Sequence, residues 1–200
     1  GIRDDVESLG SEMCIRDRDD TNQPHFIDST KISGGKFKFQ GKFEVPRYCT
    51  INIYLDPNDR QTRSKIINFS LFIDSTAVEA TCNYSGKHPV FQISGSGTQT
   101  EYQNYLSEIQ PMEDDRSKTF HAYGEAYYST KDLAKAIDLA KLVTEKRLAI
   151  REAKMKYLKA HPESAISVKI AQELSDRNSD LSLKEIEGLF TSCLLYTSPS

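Results

Sequence analysis

The sequence predicts an α+β chain, an antiparallel β-sandwich or partly open barrel followed by an α-helical region. Three observations carry this. From Phe26 to Gly97 the apolar residues fall into six short β-patterned segments, spaced by about ten residues and separated by turn signals. Near Thr98 the period changes to that of a helix, and capping signals with amphipathic stretches continue to Ser192. The two ends of the chain are antisense to each other, which sets them apart from the folded part.

Gly10 to Asp17 can be encoded GGC TCG GAG ATG TGT ATA AGA GAC, followed by the AG of an Arg18 codon. The reverse complement, read one base in, is TGT CTC TTA TAC ACA TCT CCG AGC, which translates as Cys193 to Ser200. No property of a fold makes one terminus encode the antisense of the other. The DNA resembles the transposase adapter used to build sequencing libraries. Residues 1–18 and 193–200 are therefore expected to be translated adapter, set aside before fold reasoning. Residues 19–98 are then a β domain truncated at its N-terminus, and residues 99–192 a helical linker region, together an internal stretch of a longer protein. A truncated sheet exposes an unpaired edge, so such a fragment is expected to aggregate.

The tails hold Arg3, Arg16 and Arg18 together with Asp4, Asp5, Glu7, Glu12 and Asp17. Without them the 26 basic and 29 acidic residues become 23 and 24. A near-neutral stretch has no electrostatic footprint for nucleic acid or an anionic membrane. No apolar run approaches the roughly 18 residues of a membrane span. Of the four cysteines, Cys14 and Cys193 fall in the tails. Cys49 and Cys82 match neither a zinc spacing nor a C-x-x-C redox pair. Each reads as a small buried strand residue, and in an oxidising compartment the two can pair.

In chain order, Asp28–Ser33 is a strand ending at the turn dipeptide Gly34-Gly35. Lys36–Phe43 alternates, with Phe37, Phe39 and Phe43 on one face and Lys36, Lys38 and Lys42 on the other, as in a half-buried hairpin strand. Pro46 ends it. Tyr48–Leu55, rich in β-branched and aromatic residues, is the next strand, and Asp56–Arg60 a turn. Ile66–Ile73 and Ala77–Cys82 follow as strands, separated near Asp74-Ser75. Asn83–Gly86 is a turn, and Val90–Ser94 closes the set.

Glu101–Ile109 reads as a short helix stopped by Pro111, and Glu113–Lys118 as a polar connector. Ser129 and Asp132 suggest a capping box for a long helix, with Leu133, Ile137, Ala140 and Val143 as its buried stripe, continued in shifted register by Ile150, Met155 and Leu158. His161-Pro162 breaks it. Ala165–Leu174 is a further helix. Ser182 and Glu185 cap the last one, in which Ile186, Leu189 and Phe190 face inward.

No catalytic, cofactor-binding or metal-ligating residue is predicted, and no cofactor. His25, His88, His121 and His161 are scattered, without the close spacing of a metal site. Ser94-Gly-Ser-Gly-Thr-Gln99 lacks the third glycine of a dinucleotide fingerprint and the Gly-Lys-Ser/Thr of a P-loop. It reads instead as a strand-to-helix turn, its glycines supplying unusual dihedrals and Ser96 or Thr98 the cap. The Lys/Phe alternation is a solvated face over an aromatic core rather than a nucleic-acid platform. Glu113, Asp114 and Asp115 are a solvated charge run. Asn68-Phe-Ser70 and Asn83-Tyr-Ser85 match glycosylation sequons on strand and turn positions. No nucleophile-and-base constellation suggests a hydrolase.

Asp28-Ser-Thr, followed by Gly35-Lys-Phe-Lys-Phe-Gln-Gly41 and Pro46, resembles the β domain of unknown function that precedes the thioredoxin-like domain in many Gram-negative envelope proteins. Phe91–Tyr102 is similar to the end of that domain. His161–Ser167 and Leu183–Phe190 resemble the helices before the thioredoxin fold. The resemblance covers most of residues 28–192. It implies thiol-disulfide oxidoreductases of the TlpA or ResA type, located in the periplasm or cell envelope and often lipid-anchored. It also implies that the catalytic C-x-x-C belongs to a domain beyond Ser192, so that no residue here inherits a catalytic role. The partners implied are protein clients or the chain's own downstream thioredoxin-like domain. Nucleic acid is not among them, and a membrane would be reached only through a lipid anchor outside this stretch. The alternative from the residues alone is an envelope module binding protein or glycan, without redox chemistry.

Overall fold

The computed structural model describes residues 12–18, 24–33, 36–40, 43–54, 66–84, 89–176 and 181–193. The fold is α+β, and the chain divides into two compact units, Gly1–Thr100 and Glu101–Ser200.

In the first unit β1 (Glu12–Arg18), β2 (Pro24–Lys31), β3 (Arg47–Tyr54) and β4 (Ile66–Ile73) form an antiparallel sheet in the order β2-β1-β3-β4. A second sheet pairs β5 (Glu79–Tyr84) with β6 (Pro89–Ser94). The side-chain period of two places Cys49, Ile51 and Ile53 on one face of β3, directly opposite Leu71, Phe69 and Ile67 of β4. All six are buried and form the core of the unit. Removing each such side chain from water contributes roughly 1.5–3 kcal/mol. The small sheet covers this face. Phe91 of β6 stacks on Phe69 at a centroid distance of 4.1 Å, and Val78, Ala80 and Ile93 pack alongside. On the opposite face the Thr50 and Ser70 hydroxyls, paired across the strands, share a hydrogen bond of 2.9 Å.

The strand predicted at Lys36–Phe43 is not formed over its described residues. Only an isolated bridge joins Ser33 to Lys36. The alternation is nevertheless real. Phe37, Phe39 and Phe43 are half-buried against the core, while Lys36 and Lys38 are exposed. Apolar burial fixes this segment without a ladder. β2 begins before the predicted Asp28 and ends at Lys31, and β5 is shifted two residues toward the C-terminus. Glu12–Arg18, assigned above to adapter, forms the strand β1. The turns predicted at Gly34-Gly35 and Asp56–Arg60 lie outside the described residues. Of the turn predicted at Asn83–Gly86, the first two residues, Asn83 and Tyr84, instead extend β5, and the rest lies outside the described residues.

Four helices follow. α1 (Gly97–Gly124) runs straight through Pro111 and through the predicted connector. Proline forfeits one backbone hydrogen bond at a cost of about 3 kcal/mol. Packing on both sides of it outweighs this: Tyr102, Tyr105 and Ile109 are buried before it and Thr119 after it. A π-helical turn, Glu125–Ser129, leads to α2 (Leu133–Ala160). Its cap is not Ser129 but Asp132, whose carboxylate accepts from Lys135 N.

The buried stripe of α2 is also rotated from the predicted one. Leu133 and Ile137 are 60% and 58% exposed, whereas Ala136 is 2% and Leu158 1% exposed. Ala136, Leu139, Val143, Ile150, Met155 and Leu158 are buried or half-buried. Of the expected set Val143, Ile150, Met155 and Leu158 are among them, whereas Leu133, Ile137 and Ala140 are exposed. α3 (Ala165–Leu174) buries Ile166, Ile170, Ala171 and Leu174. α4 (Leu183–Ser192) carries the predicted Ser182/Glu185 capping box and buries Leu189, with Ile186 and Phe190 half-buried.

Candidate functional site

The most tightly organised polar group joins the end of β4, the turn after it, the end of β6 and the first turn of α1. Asp74, just past β4, forms an Asx turn in which Oδ1 accepts from Thr76 N at 2.8 Å and from the Thr76 hydroxyl. Its Oδ2 accepts from Ser96 Oγ at 2.6 Å and Thr98 N at 3.4 Å. Ser96 is the helix cap, its Oγ accepting from Gln99 N at 3.0 Å. The Gln99 side chain, three residues past the cap, does not close a capping box. Instead Oε1 accepts from Phe72 N of β4 at 2.7 Å. Ser96 and Gln99 are both buried and paired.

Gly95 makes this junction sterically feasible. Its φ is +101°, and a Cβ there would lie 2.2 Å from the Ala77 carbonyl oxygen. The Thr76 hydroxyl, which donates to Asp74, shares its proton with the Gly95 carbonyl oxygen 3.1 Å away. Partial desolvation pushes the Asp74 carboxyl up, but the bonds from Ser96, Thr76 and Thr98 prevail and hold it well below the usual carboxylate range. The arrangement can fix a strand to a helix. It offers no nucleophile or base.

A second polar group lies among the helices. The Lys154 ammonium reaches Glu173 of α3 at 3.0 Å and Glu113 of α1 at 3.5 Å, and Lys169 holds Glu173 at 2.8 Å. Asp115 pairs with Lys146. The supposed polar connector therefore supplies inter-helix ion pairs. Beside this network Tyr105 Oη is buried with no hydrogen-bond partner among the described residues. Burial, reinforced by the Glu173 and Glu113 charges, pushes its hydroxyl well above the ordinary tyrosine range. Tyr157 donates to Glu101 at 2.7 Å.

The expected strand-to-helix turn at Ser94–Gln99 is present, with Ser96 as its cap. His121 and His161 are exposed, and the His161 ring tilts over Tyr157 at 4.4 Å. His88 lies outside the described residues. No group of three or more His, Cys, Asp or Glu among the described residues is placed to hold a metal ion. Cys49 is buried and Cys82 exposed, neither in a disulfide, and desolvation pushes the Cys82 thiol up. A reactive cysteine needs the opposite shift. The role of Asp74 was missed in the sequence. Its turn-forming half is signalled by Asp-Ser-Thr, but the bond to Ser96 spans 22 positions and carries no local signal.

Residues 7–102 match the family model Domain of unknown function (DUF4369). The DUF4369 match takes in all six strands, β1 included, and ends within α1, just past the Asp74–Ser96–Gln99 junction. No curated protein and no solved structure matches the chain. Among the described residues no helix is long and apolar enough to cross a membrane.

Proposed function

We propose that this chain is the non-catalytic N-terminal accessory region of an envelope thioredoxin-like thiol-disulfide oxidoreductase, whose redox centre lies in a downstream domain. The observation that carries this reading is the DUF4369 match over residues 7–102, which ends within α1, where the helical region begins. The junction around Asp74 supports it, because it makes the start of α1 an integral part of the β unit, as a domain carrying an appended linker requires. The raised Cys82 thiol and the buried Cys49 suit a region without thiol chemistry of its own.

The locus tests this directly. Reading the parent gene through codon 192 should reveal a thioredoxin-like domain with C-x-x-C, and an open frame that closes without one overturns the proposal. The present chain should show no turnover in an insulin-reduction assay, with or without added dithiol.

A second reading, a binding module without redox chemistry, is favoured by one observation. The helices expose Phe120, Tyr127, Tyr128, Leu133 and Ile137, an unusual amount of large apolar surface. A parent gene that ends shortly after the helices would favour this reading.

A further inference from the structure

We propose that the tip of the α1–α2 hairpin is a self-association face, closed by the same face of a second copy of this chain into a four-helix bundle. One row of side chains on α1 changes its surroundings part-way along. Tyr102, Tyr105 and Ile109 begin it. Through Glu113 and Arg116 the same three- and four-residue spacing leads to Phe120, Tyr123 and Tyr127. The first three are buried, whereas Phe120 and Tyr127 are 53% and 45% exposed. Helix length explains the change. α1 and α2 have 28 residues each, about 42 Å, and α3 and α4 only 10, about 15 Å. The short helices cover the near end, where Glu173 of α3 reaches Lys154 and Lys154 reaches Glu113. At the far end α1 meets α2 through Asp115 and Lys146 and through the π-helical turn. A two-helix hairpin hides one stripe of each helix, so a second stripe stays open.

The open face is pre-ordered. Phe120, Tyr123 and Tyr127 form a ladder with ring centroids 6.0 and 5.8 Å apart, and Tyr128 meets Tyr127 edge-on at 4.8 Å. Rings already held by their neighbours lose little freedom on binding. The size of the face suits a second copy. At about 200 Å² per ring, Phe120, Tyr127 and the 73% exposed Tyr128 leave about 340 Å² open. Leu133 and Ile137, on the first two turns of α2, bring the tip to about 500 Å², near the top of the range for the largest patch on a monomer. Two such faces bury about 1,000 Å² across a two-fold axis, the size at which specific interfaces begin. The charges point the same way. Lys118, Lys131, Lys135 and Lys141 stand exposed among Glu125, Asp132 and Asp138. A rim of mixed sign can meet its own copy with opposite charges facing. It does not match an anionic membrane or a nucleic acid, which need one sign. A domain following α4 is also a poor occupant, because α4 packs on α3 at the other end of the hairpin.

The inference is independent of the redox reading: the parent gene decides that one, and the oligomeric state decides this one. Sedimentation equilibrium of the full chain, with reductant present to keep Cys82 from linking copies, should show monomer and dimer with a dissociation constant of about 1–100 μM. Phe120→Glu and Tyr127→Glu should each weaken the dimer at least about tenfold. Leu183→Glu, at an exposed residue away from the tip, should change it less than about twofold. At about 0.5 μM, where the monomer predominates, all three should keep the parent's helical far-ultraviolet signal and urea midpoint, since each side chain is exposed. Raising the concentration through the transition should slow amide exchange in residues 117–137 by about fivefold or more. A chain that stays monomeric to about 500 μM overturns the proposal and leaves the face to a foreign partner. So does a dimer that both tip variants leave intact, or one whose slowed amides lie in the β unit or in α3 and α4.

Discussion

The β unit and the helical unit dispose of their apolar residues differently. Among the described residues of the β unit, Val45 and Val90 are the large apolar side chains left exposed. The helices leave Phe120, Tyr127, Tyr128, Leu133, Ile137, Leu142, Leu148 and Leu183 at the surface. The contrast follows from periodicity. A strand offers two faces, so an alternating pattern that meets a covering sheet hides nearly everything apolar it carries. A helix can carry several stripes, and one neighbour hides only one of them. On α2 the hidden stripe contains the small residue Ala136, which lets backbones approach closely, while the bulkier Leu133 and Ile137 are left outside.

The largest effect expected from this comparison is at the β unit's tightest point. Gly95→Ala should destabilise by about 3–4 kcal/mol in urea denaturation, combining a left-handed backbone with a clash against the Ala77 carbonyl. Next, Leu71→Ala in the β core and Leu158→Ala on the hidden face of α2 should each cost about 3 kcal/mol, since both are buried. A much smaller loss at Leu158 would show that the helical core is looser than its burial suggests.

Asp74→Asn should cost about 1–2 kcal/mol at neutral pH, because the charged acceptor of four hydrogen bonds becomes neutral. The sign of its pH dependence follows from a depressed folded-state pKa. The stabilisation is full above the unfolded carboxyl pKa of about 3.9 and is lost as pH falls toward the folded value. Acid titrations of stability should therefore fall less steeply below about pH 4 in the variant than in the parent chain. The smallest effect sharpens the comparison most. Leu133→Ser and Ile137→Ser should each stay within about 0.5 kcal/mol of the parent. If either costs as much as Leu158→Ala, the two stripes of α2 are not different in kind.

The same logic explains what could be read in advance. β3, β4, α3 and the α4 capping box were legible because period and local chemistry agree there, as in Cys49-Thr-Ile-Asn-Ile53 or Ser182 with Glu185. The stripe of α2 was misplaced because Leu133, Ile137 and Ala140 form an equally regular apolar row, and nothing local says which row meets a neighbour. Pro111 was read as a stop because the packing that outweighs it involves residues on both sides of the break. At the junction, Ser96 was anticipated as a cap from its own neighbourhood. Gln99 bonding to Phe72 and Asp74 bonding to Ser96 join residues 27 and 22 positions apart, beyond the reach of any local pattern.

Among the described side chains, each unit has one buried thiol, Cys49 of β3 facing Leu71 of β4 and Cys193 at the end of α4, while Cys82 is exposed. In a chain carrying Cys14→Ser, an alkylating reagent should modify Cys82 at once and the other two only through opening of the surrounding structure. The two slow rates, separated by peptide mass, would then clock the opening of each unit in one unmodified reaction mixture, with Cys82 as the internal zero of time.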